Sequence, residues 1–264
     1  MSPDLYFALT LIVKMAITAG FVLAATVTAE RAGPLIGGLV ATLPLGAGPV
    51  YVFLALDHGA HFIAQSAINS LAINTVNVIF ALVYALLAQK RPLYVSQPIA
   101  LAVWFALAWV VHDVHWTVLG ASLLNVGVIG TSVALSHRLR NVPIPRVHAR
   151  WTDLALRATL VALLVGITVT TSFRIGPSGS GILAVFPIIL ISVQIILHRR
   201  VGGKPSAAVM ANGIIGLIGF ACACVMLHFT AEPFGAAIGL SLALATSIGW
   251  GLFVFAMRKR GIGL

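Results

Sequence analysis

Residues 31–45, RAGPLIGGLVATLPL, recur in related form at residues 174–188, RIGPSGSGILAVFPI. The two stretches lie 143 residues apart, and the same shift aligns Lys14 with Arg157 without a gap. The matching positions are mostly basic, glycine and proline residues, which hydrophobic bias alone does not align. An apolar chain that repeats itself, with breaks at matching places, is typical of transporters built from two related halves.

The composition predicts an all-α, polytopic helical membrane protein. The chain of 264 residues is 60% hydrophobic and 8% charged, with a mean hydropathy of +1.06. Its apolar runs are long enough to cross about 30 Å of hydrocarbon. The net charge of +10 lies mainly in short loops, where the positive-inside rule places Lys and Arg. We therefore expect the lipid bilayer, and no nucleic acid, as the partner.

Nine apolar segments are predicted to span the membrane. They cover residues 5–29, 33–55, 61–88, 97–112, 115–136, 151–172, 178–198, 205–229 and 234–257. The odd-numbered loops and the C-terminal tail carry most of the Lys and Arg residues, which predicts an outer N-terminus and an inner C-terminus in a bacterial cytoplasmic membrane. The fourth segment has a short apolar core, but eight spans would place a loop with four arginines outside.

The spans group into a first repeat at 1–136, a basic cytoplasmic linker at 137–150 and a second repeat at 151–264. Since five spans precede the second copy, it enters from the opposite side, and the repeats are predicted to be inverted. One sequence match disagrees with this grouping. Gly120 and its neighbours in the fifth span recur 119 residues later in the ninth span, which the 143-residue shift aligns with the fourth. We interpret that match as shared helix chemistry. The sequence leaves the choice between a monomer and a homo-oligomer open.

The second and seventh spans are predicted to be broken at Pro44 and Pro187. A proline inside a helix removes one backbone hydrogen bond, and in hydrocarbon the freed group needs protein or cavity water. Matching breaks point to a binding site, whereas the alternative is that glycine and proline only permit packing and kinks. Asn69 and Asn212 are a further repeated pair, whose amides either contact a solute or bond neighbouring helices.

Two basic residues are predicted to contact the solute. Lys14 lies about 15 Å into the first span, and its neighbours one turn away are Thr10 and Thr18. Because no local carboxylate pairs it, we expect Lys14 to face a cavity. Arg157 has Asp153 one turn away, so a structural pair is the alternative there. Repeated cations among few acids predict an anionic solute, and they give little support to proton coupling through a carboxylate.

Four histidines lie in two short loops on the predicted outer side. They are His58, His61, His112 and His115. Imidazole and carboxylate groups are ligands for zinc, nickel or copper, so a divalent-metal site is one interpretation and an ordinary interfacial role is the other. The sequence contains no P-loop, no dinucleotide fingerprint, no nucleophile elbow and no thiol redox pair.

Residues 31–45 resemble the Gly-Gly-Leu-x-Ala-(Ser/Thr)-Leu-Pro-Leu signature of small GlpM-like bacterial inner-membrane proteins. Those proteins look like half of this chain, so the resemblance implies a fused duplication. The second copy departs from the signature at residues 182–187. The resemblance implies no particular activity.

Together these features predict a secondary transporter or permease for a small anionic solute. The runner-up is a membrane protein that binds or transports divalent metal, or a metal-dependent membrane enzyme, through the histidine loops. An accessory or structural subunit is the third class. An enzyme is less expected than a transporter, and no cofactor is expected apart from that metal.

Overall fold

The computed structural model describes residues 3–31, 44–140, 142 and 150–260, and within these ranges all regular structure is helical. Seven helical stretches there are long and apolar enough to cross a membrane. The predicted all-helical class is confirmed, and seven such stretches fit a multi-pass membrane protein.

Ten α-helices follow one another in the described ranges. They are α1 Pro3–Arg31, α2 Ala47–Asp57, α3 Ala60–Ala88, α4 Leu93–His112, α5 Val118–Ser136, α6 Trp151–Ala184, α7 Ile188–Val201, α8 Gly203–Gly213, α9 Gly216–Phe234 and α10 Ala236–Lys259. A 3₁₀ turn, His137–Leu139, follows α5. The predicted fourth span is the 20-residue helix α4, which is long enough to cross.

Helix α3 forms the centre of the bundle. It packs against α4, α5, α6, α8 and α9, while α1 packs on α6 and α10 packs on α9. About 78% of its most apolar stretch is buried, compared with 11% for α1. A helix buried to this extent meets protein rather than lipid on most of its sides. Its buried polar residues therefore face other helices.

The predicted boundary between the sixth and seventh spans falls at a kink in α6. The helix consists of two helical segments that meet at Gly176, whose φ is +66°, between the predicted end of the sixth span at 172 and the predicted start of the seventh at 178. Only glycine adopts this conformation without strain, and Pro177 follows in the first turn after the kink, where its missing N–H costs nothing. The chain then breaks between α6 and α7, at Val185–Pro187.

Helix starts recur at the 143-residue interval. Helices α3 and α8 begin at Ala60 and Gly203, and α4 and α10 begin at Leu93 and Ala236. The last helix thus starts in register with the fourth predicted span rather than with the fifth. Of the predicted second span, residues 33–43 lie outside the described residues, and the remainder contains α2.

Candidate functional site

Lys14 forms an ion pair with Asp57, the last residue of α2. The Lys14 Nζ atom lies 2.6 Å from both carboxylate oxygens of Asp57, and the two side chains are 11% and 21% exposed. The ammonium also lies 5.8 Å from the ring centroid of Phe53, within cation–π range. The expectation that Lys14 has no carboxylate partner is wrong, because its partner comes from another helix 43 residues along the chain.

His58 extends this cluster toward α6. Its Nε2 atom lies 2.8 Å from the Ser172 hydroxyl oxygen, and its ring stacks on Phe62 at 3.8 Å between centroids. Burial lowers the pKa of His58; the Lys14 charge acts in the same direction and Asp57 opposes it. The imidazole is therefore neutral at pH 7, and it joins the end of α2 to α6.

A second ion pair joins the start of α6 to the end of α7. The carboxylate of Asp153 pairs with the guanidinium of Arg200, and it accepts a hydrogen bond of 2.9 Å from the backbone N–H of Arg150. The predicted partner of Asp153 was Arg157, which lies half-buried on the next turn of α6. Arg200 was missed because it looked like an ordinary charge at a cytoplasmic helix end.

The two ion pairs lie near opposite ends of the part of α6 that precedes the kink at Gly176. Ser172, which contacts His58 beside the first pair, is 19 residues from Asp153 on a helix that is regular up to Gly176. At 1.5 Å per residue the separation is about 28 Å, close to the hydrocarbon thickness of about 30 Å. The 143-residue shift places Asp57 on Arg200. Their partners, Lys14 and Asp153, are one helical turn out of register, because the shift places Asp153 on Thr10, and the charges of the two links are reversed.

A cavity of about 710 Å³ lies between α1, α2, α9 and α10, and its lining is almost entirely apolar. Ile17 and Thr18 of α1 and Leu56 of α2 line it within one helical turn of the Lys14–Asp57 pair. Pro44, three residues before the start of α2, lines it as well. The first ion pair therefore stands beside an apolar chamber.

The two predicted breaks contact each other. A Cβ atom built on Gly46 lies 3.5 Å from Cγ1 of Ile189, and these residues follow Pro44 and Pro187 by two positions. The expectation that Lys14 lies beside the breaks is wrong. Its partner Asp57 is ten residues beyond Ala47, the first residue of α2, which is about 15 Å along the helix.

The repeated asparagines bond to backbone groups. Asn69 donates to the carbonyl of Gln65 at 3.0 Å, within its own helix. Asn212 donates to the carbonyls of Ala208 at 2.9 Å and Arg140 at 3.3 Å. The bond from Asn69 thus stays within its own helix, whereas the bond from Asn212 to Arg140 joins α8 to the chain that follows α5. Asn69 also borders the crossing of α3 and α6, where a Cβ atom on Gly181 would lie 3.1 Å from Asn69 Cβ.

Side chains of α3 supply hydrogen-bond partners for the backbone at the break before Pro187. Asn77 donates to the carbonyl of Val185 at 2.8 Å, and the indole N–H of Trp104 donates to the Asn77 side-chain oxygen at 2.7 Å. One turn earlier, Ser70 donates to the carbonyl of Gly181 at 2.7 Å. The polar face of α3 thus supplies partners for an interrupted backbone in hydrocarbon, as such a break requires.

The four loop histidines have separate partners. His58 contacts Ser172, His61 lies 2.7 Å from a carboxylate oxygen of Glu232, and His112 lies 3.1 Å from Asp113. Across the described ranges, no group of three or more His, Cys, Asp or Glu residues is placed to hold a metal ion. The predicted ligands, including His115, are therefore not brought into one site there.

No model of a known family matches the chain, and neither a curated protein nor a solved structure is similar to it. Residues 32–43, which carry most of the resemblance to GlpM-like proteins, lie outside the described residues. The functional argument therefore rests on the contacts of this chain alone.

Proposed function

We propose that the chain is a secondary transporter of the bacterial cytoplasmic membrane, built from two inverted repeats with nine spans. The observation that carries the proposal is the pair of charge-reversed links, Lys14–Asp57 and Asp153–Arg200, which lie about 28 Å apart along α6. Each ties the first helix of a repeat to the end of the helix that follows the break. In an alternating-access cycle, one link opens while the other holds.

The contact between Gly46 and Ile189 supports a two-fold relation between the copies. Gly46 and Ile189 are equivalent under the 143-residue shift, and each lies against the other. A residue that touches its own equivalent lies at the two-fold axis that relates the copies. The recurring helix starts agree with this placement. Secondary transporters with this symmetry place the solute near the same axis.

The proposed solute is a small organic anion with an apolar body. The apolar lining of the 710 Å³ cavity favours a hydrocarbon group, and the size lies within the range of ligand pockets. Lys14 lies one turn from Thr18 in the cavity wall, and the hydroxyl of Thr18 donates to the Lys14 carbonyl at 2.9 Å. The solute carboxylate or phosphate would compete with Asp57 for the ammonium, so binding would loosen the first link.

The test combines heat stability with uptake. Purified protein is heated with aliphatic carboxylates, organic phosphates or divalent metals, since a ligand that binds only the folded state raises the unfolding midpoint. We expect organic anions to stabilise the protein and to enter proteoliposomes that contain it. Ala55→Phe, in the cavity lining, should reduce both effects at least fivefold. Ala106→Phe, on an exposed position of α4, is the matched control.

Two results would overturn the proposal. The first is that no organic anion stabilises the protein or accumulates in the vesicles. The second is that Ala55→Phe and Ala106→Phe behave alike, because the cavity would then have no part in binding. Stabilisation by divalent metals alone would favour the metal-binding class instead.

A further inference from the structure

A second cavity, of about 430 Å³, lies between the start of α6 and the end of α7. Its polar lining comes from Thr152 and from the charged residues Arg150, Asp153, Arg199 and Arg200. The carboxylate of Asp153 neutralises one of the three guanidinium charges, that of Arg200. Arg150 and Arg199 are exposed, and they leave the cavity with an excess of two positive charges.

The remaining walls of this cavity are apolar. Leu156, Ile195 and Ile196 line it on the side that continues into the apolar lengths of α6 and α7. Trp151, at the first position of α6, is 78% exposed, as is common for indoles at a membrane interface. A basic cavity that grades into an apolar surface fits a phospholipid better than it fits a free anion.

The basic lining belongs to the second repeat only. The residues equivalent to Arg150 and Arg199 under the 143-residue shift are Phe7 and Leu56, and both are exposed apolar side chains. The cavity charge is therefore not a by-product of the duplication. It is also separate from the contacts that join the two breaks.

We propose that this cavity binds a phosphate-bearing anion, and that its occupant is the headgroup of an anionic phospholipid. Arg150 and Arg199 bind the phosphate oxygens, since guanidinium groups form paired hydrogen bonds with phosphate. Leu156 and Ile195 contact the upper part of an acyl chain. Arg200 stays on Asp153 and holds the two helix ends in place. This proposal does not depend on transport.

The experiment uses the whole protein in nanodiscs of phosphatidylcholine with or without one fifth phosphatidylglycerol. Lipids that stay bound after release into detergent are counted by native mass spectrometry, and the unfolding midpoint is measured in parallel. The test variant is Arg150→Gln with Arg199→Gln, which leaves the Asp153–Arg200 pair intact. The control is Lys90→Gln with Arg91→Gln, which removes the same charge from exposed positions outside the cavity.

We expect wild-type protein and the control to retain phosphatidylglycerol and to melt at a higher temperature in its presence. The test variant should retain about thirtyfold less, since each of the two basic residues near an anionic headgroup contributes about one kcal/mol. A further arm adds inorganic phosphate to phosphatidylcholine discs. Protection by phosphate that is lost only in the test variant supports the anion site with a free anion as its source. Equal losses in both double variants, or no protection of wild-type protein by lipid or phosphate, overturn the proposal.

Discussion

At the scale of single residues, the Lys14–Asp57 pair decides how the buried cation is understood. Removing one partner leaves the other charged in a poorly solvated place, which costs more than losing both. The sequence identified Lys14 correctly as a buried basic residue of the first span, and it is 9% exposed. It did not identify the partner, because a search one turn away on the same helix cannot find a carboxylate contributed by another helix. The 143-residue shift could have drawn attention to the partner, because it aligns Asp57 with Arg200 and so marks both as charged residues at equivalent positions.

We expect Lys14→Met and Asp57→Asn each to lower the free energy of unfolding by about 2–4 kcal/mol. The double variant should lose less than the sum of the two, because the coupling between the charges is removed with both partners. Thermal or denaturant unfolding in detergent measures the cycle, with Arg91→Gln as an exposed control. A Lys14→Met protein that unfolds like the wild type would show that the pair contributes nothing to stability.

At the scale of elements, helix positions were largely predictable and helix breaks were only partly so. The third predicted span, 61–88, differs from α3 by one residue, because a long apolar run fixes a span. The fourth span was predicted to begin at residue 97, but α4 begins at Leu93, directly after Pro92. The prediction followed the apolar run and excluded the polar residues before it, whereas the helix starts at the proline. The boundary predicted between residues 172 and 178 coincides with the kink at Gly176, because a glycine-proline pair marks an interruption of the helix in the sequence.

The crossing of α3 and α6 requires glycine at position 181. A Cβ atom there would overlap the carbonyl oxygen of Ser66, and the crossing is joined by the Ser70 hydrogen bond. Gly181→Ala should therefore destabilise the protein by about 1–3 kcal/mol through overpacking. Gly127→Ala is the matched control, because nothing lies within 4 Å of a Cβ atom on that helical glycine. Equal unfolding midpoints for the two variants would contradict this packing.

The bond from Asn77 gives a second test of an element. Asn77→Leu leaves the carbonyl of Val185 and the indole N–H of Trp104 without these partners. Each buried unsatisfied group costs about 1–3 kcal/mol, so the variant should unfold at a clearly lower denaturant concentration. Thr131→Val, which removes a bond within an exposed stretch of α5, should change the midpoint little. If Asn77→Leu and Thr131→Val unfold at the same denaturant concentration, the hydrogen bond from α3 to the break contributes nothing to stability.

At the scale of the whole molecule, the composition predicted the all-helical class of the protein, whereas the arrangement of the two repeats stays a prediction. Neither the composition nor the repeat could predict the cavity or its apolar lining, because these depend on how α1, α2, α9 and α10 meet. Long-range contacts of this kind leave no periodic pattern in a single sequence.

The proposed topology places His61 and Thr152 on opposite faces of the membrane, since His61 follows His58 by three residues and His58 contacts Ser172, 20 residues beyond Thr152 on α6. His61→Cys and Thr152→Cys, each in a protein with Cys222→Ala and Cys224→Ala, can be labelled with an impermeant maleimide. We expect position 61 to react in intact cells and position 152 to react only after permeabilisation. The side chain of His61 is 77% exposed, and Thr152 is exposed as well. Labelling of both from one side would contradict the inverted arrangement.

The contact between Gly46 and Ile189 bears on how such a chain evolves. In the proposed arrangement, a small and a large residue fill the same point on the axis from opposite sides. A homodimer of the first copy would place two glycines there and leave a void, whereas a homodimer of the second would place two isoleucines in the space of one. Fusion allows one copy to carry the small residue and the other the large one, because in a fused chain the first copy always packs against the second. Once the two residues have diverged, neither half can return to pairing with itself.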